Sequence, residues 1–123
     1  MEHIKAYTDL VQSRKLAEML PIETADMYYP NRIDIKYQGA LPIEYKHGNP
    51  LLSQEIAAWS LAALLEQLEG RNFVKIEIKY DDGQYYIFYV DNWGSIDMKT
   101  KQYNNLIDAC VEMIIKLKES NLL

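Results

Sequence analysis

Residues 73–80 alternate apolar and charged side chains, and residues 84–90 return as a tyrosine-rich run after Asp81-Asp82-Gly83. Alternation with period two reads as a strand with one buried face, and the Asp-Asp-Gly segment reads as the turn of a hairpin. The register depends on that turn. With Asp82-Gly83 as a two-residue loop, Ile76 and Ile78 share a face with Tyr85, Ile87 and Tyr89. With a three-residue loop and Gly83 as a left-handed bulge, the shared face becomes Tyr86, Phe88 and Val90. The three-residue loop is the favoured reading, because it stacks Phe88 and Val90 with the isoleucines. It also lays Tyr85 and Tyr89 over the aliphatic stems of Lys79 and Lys75.

A chain of 123 residues with 49% hydrophobic and 25% charged side chains is expected to fold as a single domain, 1–123, around one core. One cysteine excludes an internal disulfide framework. The longest uncharged, mainly apolar run, residues 56–65, is far shorter than the roughly 20 residues of a membrane helix. The first residues lack the apolar segment of a signal peptide, so the expected location is cytoplasmic. A net charge of -5, with acids and bases interspersed, argues against a dedicated nucleic-acid binder.

Helix signals sit at both ends and in the middle. Thr8 or Asp9 can cap a helix over about residues 9–19, with Gln12 at capping-box spacing and Pro21 ending it. Leu10, Leu16, Ala17 and Leu20, with Ser13, form its stripe. Ser60 is placed to cap a second helix with Leu61, Leu64, Leu65 and Leu68 buried and Gly70 as terminator, unless residues 51–59 extend it backward. A third begins near Asn104 or Asn105, with Asp108 at its positive end. Its stripe is Leu106, Cys110, Met113, Ile114 and Leu117, and Glu112 and Lys116 form a pair along its surface. Residues 27–29 and 33–37 read as strands separated by Pro30-Asn31, and residues 41–46 as a strand that Pro42 confines to an edge. Residues 47–50 and 92–95 read as loops, and residues 96–99 as a short strand. The expected class is α+β, an antiparallel sheet with two or three helices packed on one face.

Three stretches carry a resemblance. They are residues 6–10 with 12–21 and 25–27, residues 58–65, and residues 108–117. Together they resemble short proteins encoded in prophages and mobile elements of gut Bacteroidetes, a group with no assigned activity. The resemblance implies an accessory protein of a phage or mobile element and transfers no catalytic role.

Chemistry is sparse. The glycines are isolated, so there is no phosphate-binding loop, and one cysteine with two distant histidines cannot make a zinc site. His3 and His47 read as solvated, Cys110 as a core residue, and Asp81, Asp82 and Asp91 as turn residues rather than metal ligands. No catalytic, cofactor-binding or metal residue is therefore assigned, and the reading leans against an enzyme. Ten tyrosines, eight of them on or near expected strands, point instead to contact with other molecules. The expected surface is Tyr85 and Tyr89 with Lys75 and Lys79. The expected function is a small non-enzymatic interaction or accessory protein, with a protein partner or a second copy as in a homodimer. A factor associated with single-stranded nucleic acid is the alternative, and an enzyme comes third. No membrane, cofactor or small molecule is implied.

Overall fold

The structure, a computed structural model, describes residues 5–29, 43–44, 55–69, 75–90 and 96–123. Its helices begin where the caps predict. Helix α1 (Leu10–Ala17) starts at Asp9, which accepts from the Gln12 amide while the Gln12 side chain accepts from the Asp9 amide, a complete capping box. Helix α2 (Leu61–Glu69) has the Ser60 hydroxyl accepting from the Ala63 amide at 3.2 Å. Helix α3 (Leu106–Glu119) is capped by Asn105, which accepts from the Asp108 amide at 2.8 Å.

Strands β1 (Met27–Tyr29), β2 (Ile43–Glu44) and β3 (Ile56–Ala58) form one antiparallel sheet in the order β2-β1-β3. Strands β4 (Lys75–Asp81), β5 (Gln84–Val90) and β6 (Ile96–Lys99) form a second antiparallel sheet in the order β4-β5-β6. The α+β class holds, with the strands divided between two small sheets. Pro42 precedes β2, which is an outer strand of its sheet among the described residues. Residues 56–58 pair with β1 as a strand and do not lengthen α2. The expected strand at 33–37, the segments 30–31, 47–50 and 92–95, Gly70, Asp91, His3 and His47 lie outside the described residues.

The core forms around α3. Ile107, Ala109, Cys110, Val111, Met113, Ile114 and Leu117 are buried among Leu16 and Leu20, Trp59, Leu64 and Leu68, and Ile87 and Tyr89. Burial of each large aliphatic side chain is worth about 1.5–3 kcal/mol before the entropy of ordering it is counted. Among the described residues no buried side-chain nitrogen or oxygen lacks a hydrogen-bond partner.

Polar ties fix how the elements meet. Thr8 and Ser13 are fully buried and share a 2.7 Å hydroxyl–hydroxyl bond. The Tyr29 hydroxyl donates to the Thr8 carbonyl at 2.7 Å, and burial, with lesser effects of Tyr7 and Asp9, pushes that phenol up to about 12. The Trp59 indole donates to Thr24 Oγ1 at 2.9 Å, while the Ser60 amide and hydroxyl both donate to the Asp26 carboxylate. Asp108 on α3 accepts from Lys5 Nζ at 2.8 Å, Gln12 Nε2 at 2.6 Å and Asn105 Nδ2 at 2.8 Å. Burial alone would raise its carboxyl, but the bonds from Lys5, Asn105 and Gln12 outweigh that and lower it.

Candidate interaction surface

The hairpin decides which side chains face outward, and it closes by the two-residue loop. Asp81 pairs with Gln84, and Asp82 (φ 50°) and Gly83 (φ 80°) both occupy the left-handed region, the pattern of a type I′ turn. The favoured three-residue loop is therefore corrected. Ile76 opposes Tyr89, Ile78 opposes Ile87 and Tyr80 opposes Tyr85, so these six share the face turned toward α3. The physical reason lies beyond the turn. Ile87 and Tyr89 complete the core beside α3, and a one-residue slip would exchange them for Tyr86 and Phe88.

The residues expected to form the surface are consequently split. Tyr89 is 8% exposed and belongs to the core, and Tyr85 packs against that core partly buried. Lys75 and Lys79 lie on the opposite face, where β4 alternates Lys75, Glu77, Lys79 and Asp81 beside Gln84, Tyr86 and Phe88 of β5. Their aromatic neighbours are thus Tyr86 and Phe88, not Tyr85 and Tyr89. Lys79 opposes Tyr86 directly and approaches Glu77 at 3.8 Å.

Lys99, which the sequence reading did not single out, completes this outer face. It pairs with Phe88 across the sheet, and its ammonium stands 5.2 Å from the Tyr86 ring centre and 5.6 Å from that of Phe88. The two rings meet edge to face at 5.2 Å. Each contact is within cation–π and aromatic pairing range, worth about 0.5–1.5 kcal/mol. The result is a half-buried aromatic pair held in one orientation under a cation. The signal for Lys99 was its place at the end of a short strand, but only the register of β5 with β6 puts it over these rings.

The ladder is irregular at the end of β5. The pairing of β5 with β6 shifts between Tyr89 and Val90, and both residues are buried. Past β6, Tyr103 pairs with Tyr85, and its hydroxyl donates to Glu112 at 2.6 Å. Burial first, and then Glu112 with Asp108 behind it, pushes that phenol up to about 12.

Cys110 is buried, and desolvation pushes its thiol up to about 12, far from the thiolate a nucleophile requires. Among the described residues no group of three or more histidine, cysteine or acidic side chains could hold a metal ion. An open depression lined by Met98, Lys99, Lys116, Glu119 and Ser120 adjoins the end of α3. No helix among the described residues is long and apolar enough to cross a membrane. In comparisons with known proteins, no family model, curated protein or solved structure matches the chain.

Proposed function

We propose that the protein is a non-enzymatic interaction module, an accessory factor of a phage or mobile element, that binds a protein partner through the outer face of its β4-β5-β6 sheet. The observation that carries this reading is the Tyr86–Phe88 pair beneath Lys99, which lies outside the buried cluster that Ile87 and Tyr89 join. Aromatic side chains fixed by neighbours lose little entropy on binding, which is why they anchor protein contacts. Lys75, Lys79 and Lys99 suit a partner that presents carboxylates around an apolar contact.

The test is affinity capture from the native host with wild type and a Tyr86→Ala/Phe88→Ala variant. Loss of the same captured proteins, with circular dichroism showing that the variant keeps its fold, is the expected result. Capture that is identical for both proteins would sink the proposal. Single-stranded nucleic acid is the second reading, since bases stack on such rings and Lys99 adds a third lysine to the face. Glu77 and Asp81 on the same face weigh against it. It requires oligonucleotide binding that weakens steeply with salt and vanishes in the same variant.

A further inference from the structure

Among the described residues, strand β4 is the edge of its sheet, and no described strand pairs with its outer side. The orientation of its backbone follows from the hydrogen bonds of β5. The Ile87 amide donates to Thr100 Oγ1 at 2.9 Å, and its carbonyl accepts from the Thr100 amide at 3.0 Å. Tyr85 exchanges two backbone bonds with Tyr103, at 2.6 and 2.8 Å. Both residues therefore turn their backbone polar groups away from β4. Opposite them, Ile78 and Tyr80 occupy non-hydrogen-bonded pairs of the β4–β5 ladder, so their own N–H and C=O groups point outward, and alternation does the same for Ile76.

We propose that this edge pairs with the β4 strand of a second copy, antiparallel about a two-fold axis at Ile78, joining two three-stranded sheets into one. The sequence of β4 is self-complementary in that register. Ile78 is the midpoint of the seven-residue strand, so the whole strand pairs with its copy. Glu77 opposes Lys79 of the second copy, Lys75 opposes Asp81, Ile76 opposes Tyr80, and Ile78 meets itself. Every charge meets its opposite, and every apolar residue meets an apolar one. The outward-pointing residues supply the new hydrogen bonds, while the charged pairs take the non-hydrogen-bonded positions, where facing side chains are closest.

Neighbouring registers fail. An axis at Glu77 sets Glu77 against itself and Lys75 against Lys79. An axis at Lys79 sets Lys79 against itself and Glu77 against Asp81. An axis at Ile76 or Tyr80 shortens the overlap, and a slip by one residue sets charged faces against apolar ones. Lysines on an edge strand commonly block such pairing by repulsion. Here the in-register charges attract instead. The pairing also covers Ile78 and Tyr80, which are 40% and 65% exposed although they lie on the core-facing side of the sheet. The contact is isologous, as a two-fold dimer requires. It rests on the edge of the sheet and needs neither Tyr86 nor Phe88, the aromatic pair of the outer face proposed above, although Lys75 and Lys79 border both surfaces.

Sedimentation equilibrium over a concentration series of the full chain tests the proposal. Wild type is expected to dimerise. Glu77→Lys places like charges at two symmetric positions and is expected to weaken the dimer about tenfold or more. The swap Glu77→Lys/Lys79→Glu is expected to restore it, and circular dichroism of each variant shows that the fold is kept. Tyr86→Ala/Phe88→Ala is expected to leave dimerisation unchanged. A wild type that stays monomeric throughout overturns the proposal. So does a Glu77→Lys dimer as tight as wild type, a swap that stays dissociated, or a dimer lost in the Tyr86→Ala/Phe88→Ala variant.

Discussion

Thr8 and Trp59, 51 positions apart, are tied in both directions: the Thr8 amide donates to the Trp59 carbonyl at 2.9 Å, and the Trp59 amide donates to Thr8 Oγ1 at 3.1 Å. Both residues are fully buried, and the same hydroxyl meets Ser13. One hydroxyl thus bonds both to α1 and to the Trp59 amide, which ties the start of α1 to the strand–helix junction before α2.

Thr8→Val keeps the shape and removes that oxygen. It leaves the Trp59 amide and the Ser13 hydroxyl without this partner in a dry site, which costs roughly 1–3 kcal/mol. Denaturant unfolding is expected to show that loss. Val11→Ala, at a position 76% exposed on the same helix, is expected to change stability by no more than about 0.5 kcal/mol.

The hairpin turn makes a second case. A Cβ at Gly83 would meet nothing within 4 Å, so any cost of Gly83→Ala comes from its φ of +80° and not from crowding. That cost is about 1–2 kcal/mol for an L-residue held in the left-handed region. Asp82→Asn, which keeps a side chain that tolerates this region, is expected to be close to neutral. Equal losses in the two variants, measured by thermal unfolding, would contradict the type I′ turn.

How much of this was legible beforehand depends on range. Asp9 with Gln12, Ser60 and Asn105 announce their helices because a cap is completed within three residues. The alternation of β4 is equally local. The register at Asp82-Gly83 is not, because either loop is acceptable by itself and the choice falls to whether Ile87 and Tyr89 or Tyr86 and Phe88 join α3 in the core. Residues 56–58 read ambiguously because Ala57 and Ala58 favour a helix by themselves, and pairing with β1 overrides that preference. Of the expected surface, Lys75 and Lys79 face outward and Tyr89 does not, since one step of register moves every side chain to the other face.

Acid should weaken the protein through Asp108. Its folded-state carboxyl lies below its unfolded value, so the stabilisation is complete above the unfolded value of about 3.9 and is lost as pH falls through the lower folded one. Asp108→Asn is expected to flatten that part of a stability–pH curve measured by urea unfolding. Lys5→Met, which removes one of the groups holding the carboxylate charged, is expected to reduce the slope without abolishing it.

Alkali acts through Cys110 with the opposite sign. Burial holds the native thiol at about 12, whereas an unfolded thiol ionises near about 8.5. The unfolded state therefore sheds the proton first, and stability falls as pH rises between the two values. At neutral pH, alkylation by iodoacetamide is expected to follow the unfolded fraction, with no reaction of the native protein. Rapid stoichiometric labelling of folded protein would contradict the buried position.

The central place of α3 bears on the order in which the chain can organise itself during synthesis. Leu16 of α1, Trp59, Leu64 of α2 and Ile87 of β5 all join the cluster that α3 fills, yet α3 leaves the ribosome after each of them. Until it arrives, their apolar sides have no common partner, and the nascent chain carries them uncovered. Assembly of this core accordingly waits for α3, which follows the elements it joins in chain order.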